Sequence, residues 1–445
     1  MIRASVLHKT LTCAVLCFLA AAAWAQETGG TFDQAEIIDS VTSLFRARYV
    51  YPEMAIKMDS VVRTNFAAGK YAVDSTLDIF LESLKNDLRE ISHDRHVWVQ
   101  SIPENRWYVL EGDTATREQI AAMQANNFGW RELNYLQGGV GYINVVVFED
   151  TAYAARTAEA ALSFMANCRA LIIDLRQHHG GDENMQIFAC SYFFKQPTQL
   201  SSLYWTYLDS TAPAWTLARV GGTPLYDKEL YLLTSRATAS GAEAFAYNLK
   251  NYGRATIVGE TTAGAAHWTD YHEFPGLNVL VDIPVARPIH PLTGTSWEGT
   301  GVTPDIEVPA DQALDRAYLA ALEKLAANET DEARKRELEW LIPTAQAKLN
   351  PVKLTEQLIS KYVGEYRHPT LDKHYWILEK DGRLYYRYTT GEEYVLIPLT
   401  ETIFGFDDGD PTRMRIVLDD TGRVVEMQFI SPDGEVRSRP RVSGE

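Results

Sequence analysis

Apolar positions recur at helical spacing through residues 32–92 and predict three helices, over 33–48, 52–68 and 74–91. Tyr51-Pro52 and Gly69-Lys70 separate them. From Gly138 the pattern alternates strand with helix. Residues 141–148 read as a strand, 151–167 as an Ala-rich helix, and 170–175 (ALIIDL) as a continuous apolar strand buried on both faces. A helix over 183–194 follows the double glycine Gly180-Gly181. A second such unit begins with a strand over 229–234. Ala242, Phe245, Ala246 and Leu249 at helical spacing then predict a helix over 241–252, stopped by Gly253, and a strand over 255–259. Another strand is expected over 277–285. Residues 311–350 are charged and helical, a connector with solvated faces. After about Lys353 the pattern turns to short alternating runs. Asp381-Gly382 lies between two of them, a strong hairpin signal. This tail reads as a separate antiparallel β domain, a sandwich or small barrel.

The fold class is therefore α/β, with a helical N-terminal domain over 31–100, a core over 101–310, a connector over 311–350 and a β domain over 353–440. The chain has 445 residues, 46% hydrophobic and 23% charged, the composition of ordinary globular protein. A net charge of −17 argues against nucleic acid or an anionic membrane surface as partner, since both call for a basic face.

Residues 1–25 read as an export leader: Arg3 and Lys9, an apolar run over 11–22, and Ala23-Trp24-Ala25 as a small-x-small cleavage site after Ala25. The run is short for a membrane span, so the mature chain is expected to be exported, periplasmic or secreted, with no span. Cys168 and Cys190 remain after the leader. They can pair in an oxidising compartment, but their apolar surroundings favour two buried thiols.

Ser240 stands where a strand-to-helix connection meets a helix N-terminus, with unpaired amides and a favourable dipole. Ser240-Gly-Ala-Glu243 also fits a capping box, in which the serine only satisfies an amide. Gly180-Gly181, between a buried strand and a helix, reads either as a tight turn or as a nest of outward-pointing amides. His93-x-x-His96 has no third ligand nearby and no HExxH, so no metal or cofactor is called for. The aromatic segment 196–228, with Tyr204, Trp205 and Trp215, is a candidate substrate wall.

Three segments together resemble one family. ALIIDLRQHHGG, TASGAEAFAYNLKNYGRATIVGETTAG and EGTGVTPD are similar to motifs of the tail-specific, or C-terminal-processing, serine peptidases. The resemblance covers roughly residues 138–305 and implies a ClpP/crotonase-like core. The lysine of that family's serine–lysine dyad is replaced by Ala265, and residues 101–138 are too few for its PDZ domain. Both departures point to the branch of the tricorn core and the interphotoreceptor retinoid-binding proteins. The resemblance implies Ser240 as nucleophile, His96 as general base, Glu298 as its orienting carboxylate, and Gly241 with Gly180 or Gly181 as oxyanion hole. It implies a peptidase acting on peptides or protein tails. The retinoid-binding relatives supply the alternative, a non-catalytic binder of apolar ligands. If His96 is not the base, His267 is the next histidine to test.

Overall fold

The structure, a computed structural model, describes residues 32–74, 76–110 and 112–442. The expected leader and its cleavage site lie outside the described residues. The chain divides into two compact units, one of Met1–Ala115, Trp205–Ser210 and His267–Arg287, the other of Thr116–Tyr204, Thr211–Ala266 and Pro288–Glu445.

In the first unit the three expected helices are Gln34–Arg48, Pro52–Ala67 and Leu77–Ser92. Their starts follow from local chemistry. The Asp33 carboxylate accepts the N–H of Ala35 and Glu36, Pro52 opens the second helix, and the Thr76 hydroxyl caps the third. His93 ends the third helix in the left-handed conformation (φ 55°). The strand Trp98–Ser101 then pairs antiparallel with Val279–Ile289, which pairs with Trp268–Phe274. Val279, Val281, Ile283 and Val285 share a core with Ile38, Phe45, Phe80 and Leu84. Residues 267–287 thus group with the N-terminal helices, whereas the sequence pattern assigns them to 101–310. The helices' apolar faces need a partner surface, and this small sheet supplies it.

The second unit is built on a six-stranded sheet in the order Ile306–Glu307, Thr256–Gly259, Glu229–Thr234, Ala170–Asp174, Val140–Val145, Trp130–Leu136. All neighbours are parallel except the last pair. Successive residues serve opposite faces, as strand geometry requires. Ile143, Leu171, Ile173, Leu230, Leu232 and Ile257 face a core with Leu162, Met185, Phe245 and Leu249. Tyr142, Ile172, Tyr231, Leu233 and Val258 face Ala317, Leu322 and Leu325 of the Ala313–Asn328 helix. Burying each such large side chain contributes about 2 kcal/mol. Cys168 and Cys190 are buried, unpaired thiols. Burial pushes Cys168 up to about 11, so it stays protonated.

The tail, also in this unit, forms eight antiparallel strands in sequence order from Gly364–Arg367 to Val436–Pro440. Asp381 and Gly382 both take positive φ (51° and 73°) between the paired Lys380 and Arg383, as a two-residue type I′ hairpin requires. The last strand returns to the first: Tyr366 bridges Arg441, and the Val442 N–H donates to the Glu365 carbonyl at 2.9 Å. The sheet is a closed eight-stranded meander. Among the described residues no helix is long and apolar enough to cross a membrane.

Candidate active site

Ser240 begins the Gly241–Asn251 helix with φ 55° and ψ −121°. That conformation is costly for a residue with a side chain, on the order of 1–3 kcal/mol, and such strain clusters at functional turns. A cap residue normally has extended backbone, so capping alone does not account for it. The preceding loop is stitched to the loop that leaves strand Ala170–Asp174. Thr238 Oγ1 donates to the Leu175 carbonyl at 2.8 Å, Ser235 Oγ to Arg176 at 2.6 Å, and the Ala239 N–H to His178 at 3.1 Å.

The double glycine packs directly on this turn. A Cβ on Gly180 (φ 110°) would lie 2.7 Å from Ser240 Cβ, and one on Gly181 (φ 125°) 2.1 Å from the Phe148 carbonyl oxygen. Only glycine fits either position. His178 holds the turn from below: it is fully buried, and its Nδ1 accepts the Gly180 N–H at 3.0 Å. Burial pushes its pKa down to about 3, which keeps it a neutral acceptor. The Gly180 N–H is thereby committed. The N–H groups of Gly181 and Gly241 have no such partner among the described residues.

Glu243 is completely buried, three residues after the serine. Its carboxylate accepts the Ser240 N–H at 2.9 Å, Thr262 Oγ1 at 2.5 Å, the Gly264 N–H at 2.7 Å and the Ala265 N–H at 2.9 Å. Burial raises its pKa against the pull of those donors. The glutamate expected as a helix cap therefore also fixes the 262–265 segment. That segment is held from its other side by Trp297 Nε1 on the Ala265 carbonyl (3.1 Å) and by Glu298 Oε2 on the Ala266 N–H (2.6 Å). Ala265, where the resemblance expects a lysine, is itself buried.

In the first unit, Asp94 is a hub. Its Oδ1 accepts the His96 N–H at 2.9 Å; its Oδ2 accepts Tyr49 OH at 3.0 Å and lies 2.7 Å from His267 Nδ1. Burial would raise this carboxyl, but His267 and then His96 outweigh it and hold it below the usual range. His96 is half-buried, and its Nδ1 is buried with no hydrogen-bond partner among the described residues. Burial pushes its pKa down to about 4, opposed by Asp94 and reinforced by His267. Tyr51 meets the His267 ring edge-on at 5.4 Å between centroids. Asp94 and His267 are 173 positions apart, and no sequence pattern links them.

The aromatic residues expected to line a substrate wall have different settings. Trp205 packs edge-on against Trp268, 6.3 Å between centroids, and Trp215 is half exposed. Tyr204 is half-buried in the strand Ser202–Trp205.

Residues 139–308 match the model of peptidase family S41. A carboxyl-terminal-processing protease from a Picosynechococcus species is 27% identical over 208 residues, 42% of this chain and 45% of its own length. The chain thus spans less than half of that curated relative. Among solved structures, the photosystem II D1 C-terminal processing protease aligns with a TM-score of 0.40 at 12% identity, over 63% of this chain and 94% of that one. The tricorn protease aligns with a TM-score of 0.44 at 11% identity, over 66% of this chain and 37% of that one.

Proposed function

Since residues 139–308 match the model of peptidase family S41, we propose that the chain is a serine peptidase that cleaves peptide bonds through an acyl-enzyme on Ser240. The observation that carries this reading is the strained Ser240 turn, with two glycines pressed against it and uncommitted amides on Gly181 and Gly241. A turn of that kind presents a hydroxyl beside donors that can hold a developing oxyanion.

His96 is assigned as the general base. A half-buried imidazole, neutral at neutral pH, can take the serine proton, pass it to the leaving amine, and repeat the transfer with water. Glu298 is assigned the orienting role. Ala265 leaves no amine at the position of the family's lysine, so the dyad chemistry is replaced by an imidazole. Peptides or unfolded protein tails are the proposed substrates, met outside the cytoplasm.

A second assignment of the base rests on one contact. The 2.7 Å pairing of His267 Nδ1 with Asp94 Oδ2 is how a carboxylate sets the tautomer of a catalytic histidine. Under this assignment Asp94 replaces Glu298 as the orienting group.

The test is covalent labelling with a fluorophosphonate probe. Labelling of the wild type and none of Ser240→Ala is expected; equal labelling of both, or none of either, supports a non-catalytic binder instead. His96→Ala and His267→Ala, assayed side by side on an unfolded protein substrate, decide the base. The true base should cost several orders of magnitude in kcat.

A further inference from the structure

The closed β meander of the tail has an open end that the peptidase reading leaves without a task. Inside the barrel, Ile377, Leu384, Leu396, Phe404, Met414 and Met427 fill the core. The same inward parity continues along the strands to Tyr375, Tyr386, Tyr388, Tyr394, Phe406 and Phe429, rings that contact one another and also line a cavity of about 250 Å³. Tyr386 is its centre, 5.3 Å from Phe429, 6.1 Å from Phe406 and 6.0 Å from Tyr375, centroid to centroid. Eight strands make a barrel just wide enough to hold one small ligand.

Two features show that the cavity is more than a packing gap. Tyr375 and Tyr386 are almost wholly buried, yet both line the cavity. A tyrosine there offers an apolar ring and a polar hydroxyl to a ligand. Burial pushes the Tyr386 phenol up, so it remains a neutral donor. Arg439 also lines the cavity, with its guanidinium carbon 5.2 Å from the Tyr375 ring centroid. Its Nη1 donates to the Ser438 carbonyl, but among the described residues its Nε is buried without a partner and no carboxylate pairs with it.

The charges at the mouth are separated by sign. Arg437 and Arg439 belong to the last strand, Val436–Pro440. Asp408 and Asp410 follow the strand Ile403–Phe406, three places away in the ring of eight, and so lie across the opening from the arginines. One carboxylate oxygen of each aspartate accepts a backbone N–H, from Asp410 and Thr412 respectively, and the other is uncommitted among the described residues.

We propose that this barrel end binds a small aromatic zwitterion, an aromatic amino acid or a dipeptide, with its carboxylate on the arginines, its ammonium on the aspartates and its ring among the tyrosines. Guanidinium groups suit carboxylates, and aromatic faces suit a flat ring. The inference does not depend on Ser240 being catalytic.

The test is calorimetric titration of the full-length protein with L-phenylalanine and with Phe-Phe. Saturable one-to-one binding of at least one is expected, and the tighter of the two identifies the source. L-phenylalaninamide and N-acetyl-L-phenylalanine each lack one charge and should bind at least 10-fold more weakly. Arg439→Gln should weaken binding at least 10-fold, and Tyr386→Phe a few-fold. The Asp408→Asn/Asp410→Asn pair, in an exposed loop, serves where Arg439→Gln does not fold. The proposal is overturned by absence of saturable binding, by equal affinity for a singly charged probe, or by wild-type affinity in a folded charge variant.

Discussion

Ser240 is a residue whose backbone works against stability. Ser240→Gly removes the Cβ from a conformation that glycine adopts freely, so it should stabilise the fold by about 1 kcal/mol while abolishing hydrolysis. Urea titration of the two proteins checks this, and a less stable glycine variant would mean the turn is not strained. His96 yields a pH prediction. The sequence alone, with Glu298 imagined beside the imidazole, places the ionisation of the base at about 6–7.5. Burial moves it the other way, to about 4. A base must be unprotonated, so kcat/KM should rise through pH about 4 and stay flat through neutrality. A rising limb above pH 6 takes the role from His96 and favours the His267 assignment.

The strand Val279–Ile289 carries Asp282 opposite Trp98, and burial raises the Asp282 carboxyl to about 7, with Asp94 and Asp270 adding to the effect. Its Oδ1 is buried without a partner among the described residues. The unfolded carboxyl titrates near ~3.9. Between those values the folded state holds the proton and the unfolded state does not, so this group's stabilising effect is present at low pH and lost as pH rises through about 7. Asp282→Asn should therefore raise Tm most at pH 8, less at pH 5 and little at about pH 3.5, read by thermal melts at all three. The double-glycine turn gives a second element-scale test. Gly181→Ala drives a Cβ into the Phe148 carbonyl, and backbone cannot yield as a flexible side chain does. A loss of several kcal/mol is expected, with activity falling even in the surviving folded fraction.

At the scale of the molecule, the β tail shares structure with the helix that precedes it. On the Glu332–Leu349 helix, Trp340 Nε1 donates to the Pro411 carbonyl at 2.7 Å, and the Arg413 guanidinium carbon stands 3.7 Å from the centroid of its ring. Thr344 packs against Gly405 closely enough that a Cβ there would clash at 2.7 Å. From sequence, a fragment ending near Asn350 is expected to fold alone. These contacts predict that it folds with a Tm several degrees below that of the full chain, because the indole is bared and its stacking lost. An unchanged Tm would show the contacts to be without energetic weight.

Period-2 and period-3.6 patterns, caps and turn residues act within a few positions of one another. The strand Glu229–Thr234, the helix from Gly241 and the Asp381-Gly382 hairpin were therefore legible before any fold was known. The motif around Ser240 was legible for the same reason, since its strand, turn and helix are contiguous. The strand Trp130–Leu136, exposed along most of its length, had no such pattern to betray it. Nor did Asp94 with His267, the second duty of Glu243 on residues 262–265, or the return of the last barrel strand to the first. Each joins positions that are distant in sequence, chosen by how the faces pack rather than by any local preference. The sequence alone determined which elements form and which residue types can do chemistry. Tertiary structure decided that Glu243 spends its carboxylate on the Gly264 and Ala265 amides and that burial drives His96 below its ordinary pKa. Hydrogen-bond partners and desolvation are properties of the packed chain, absent until distant segments meet.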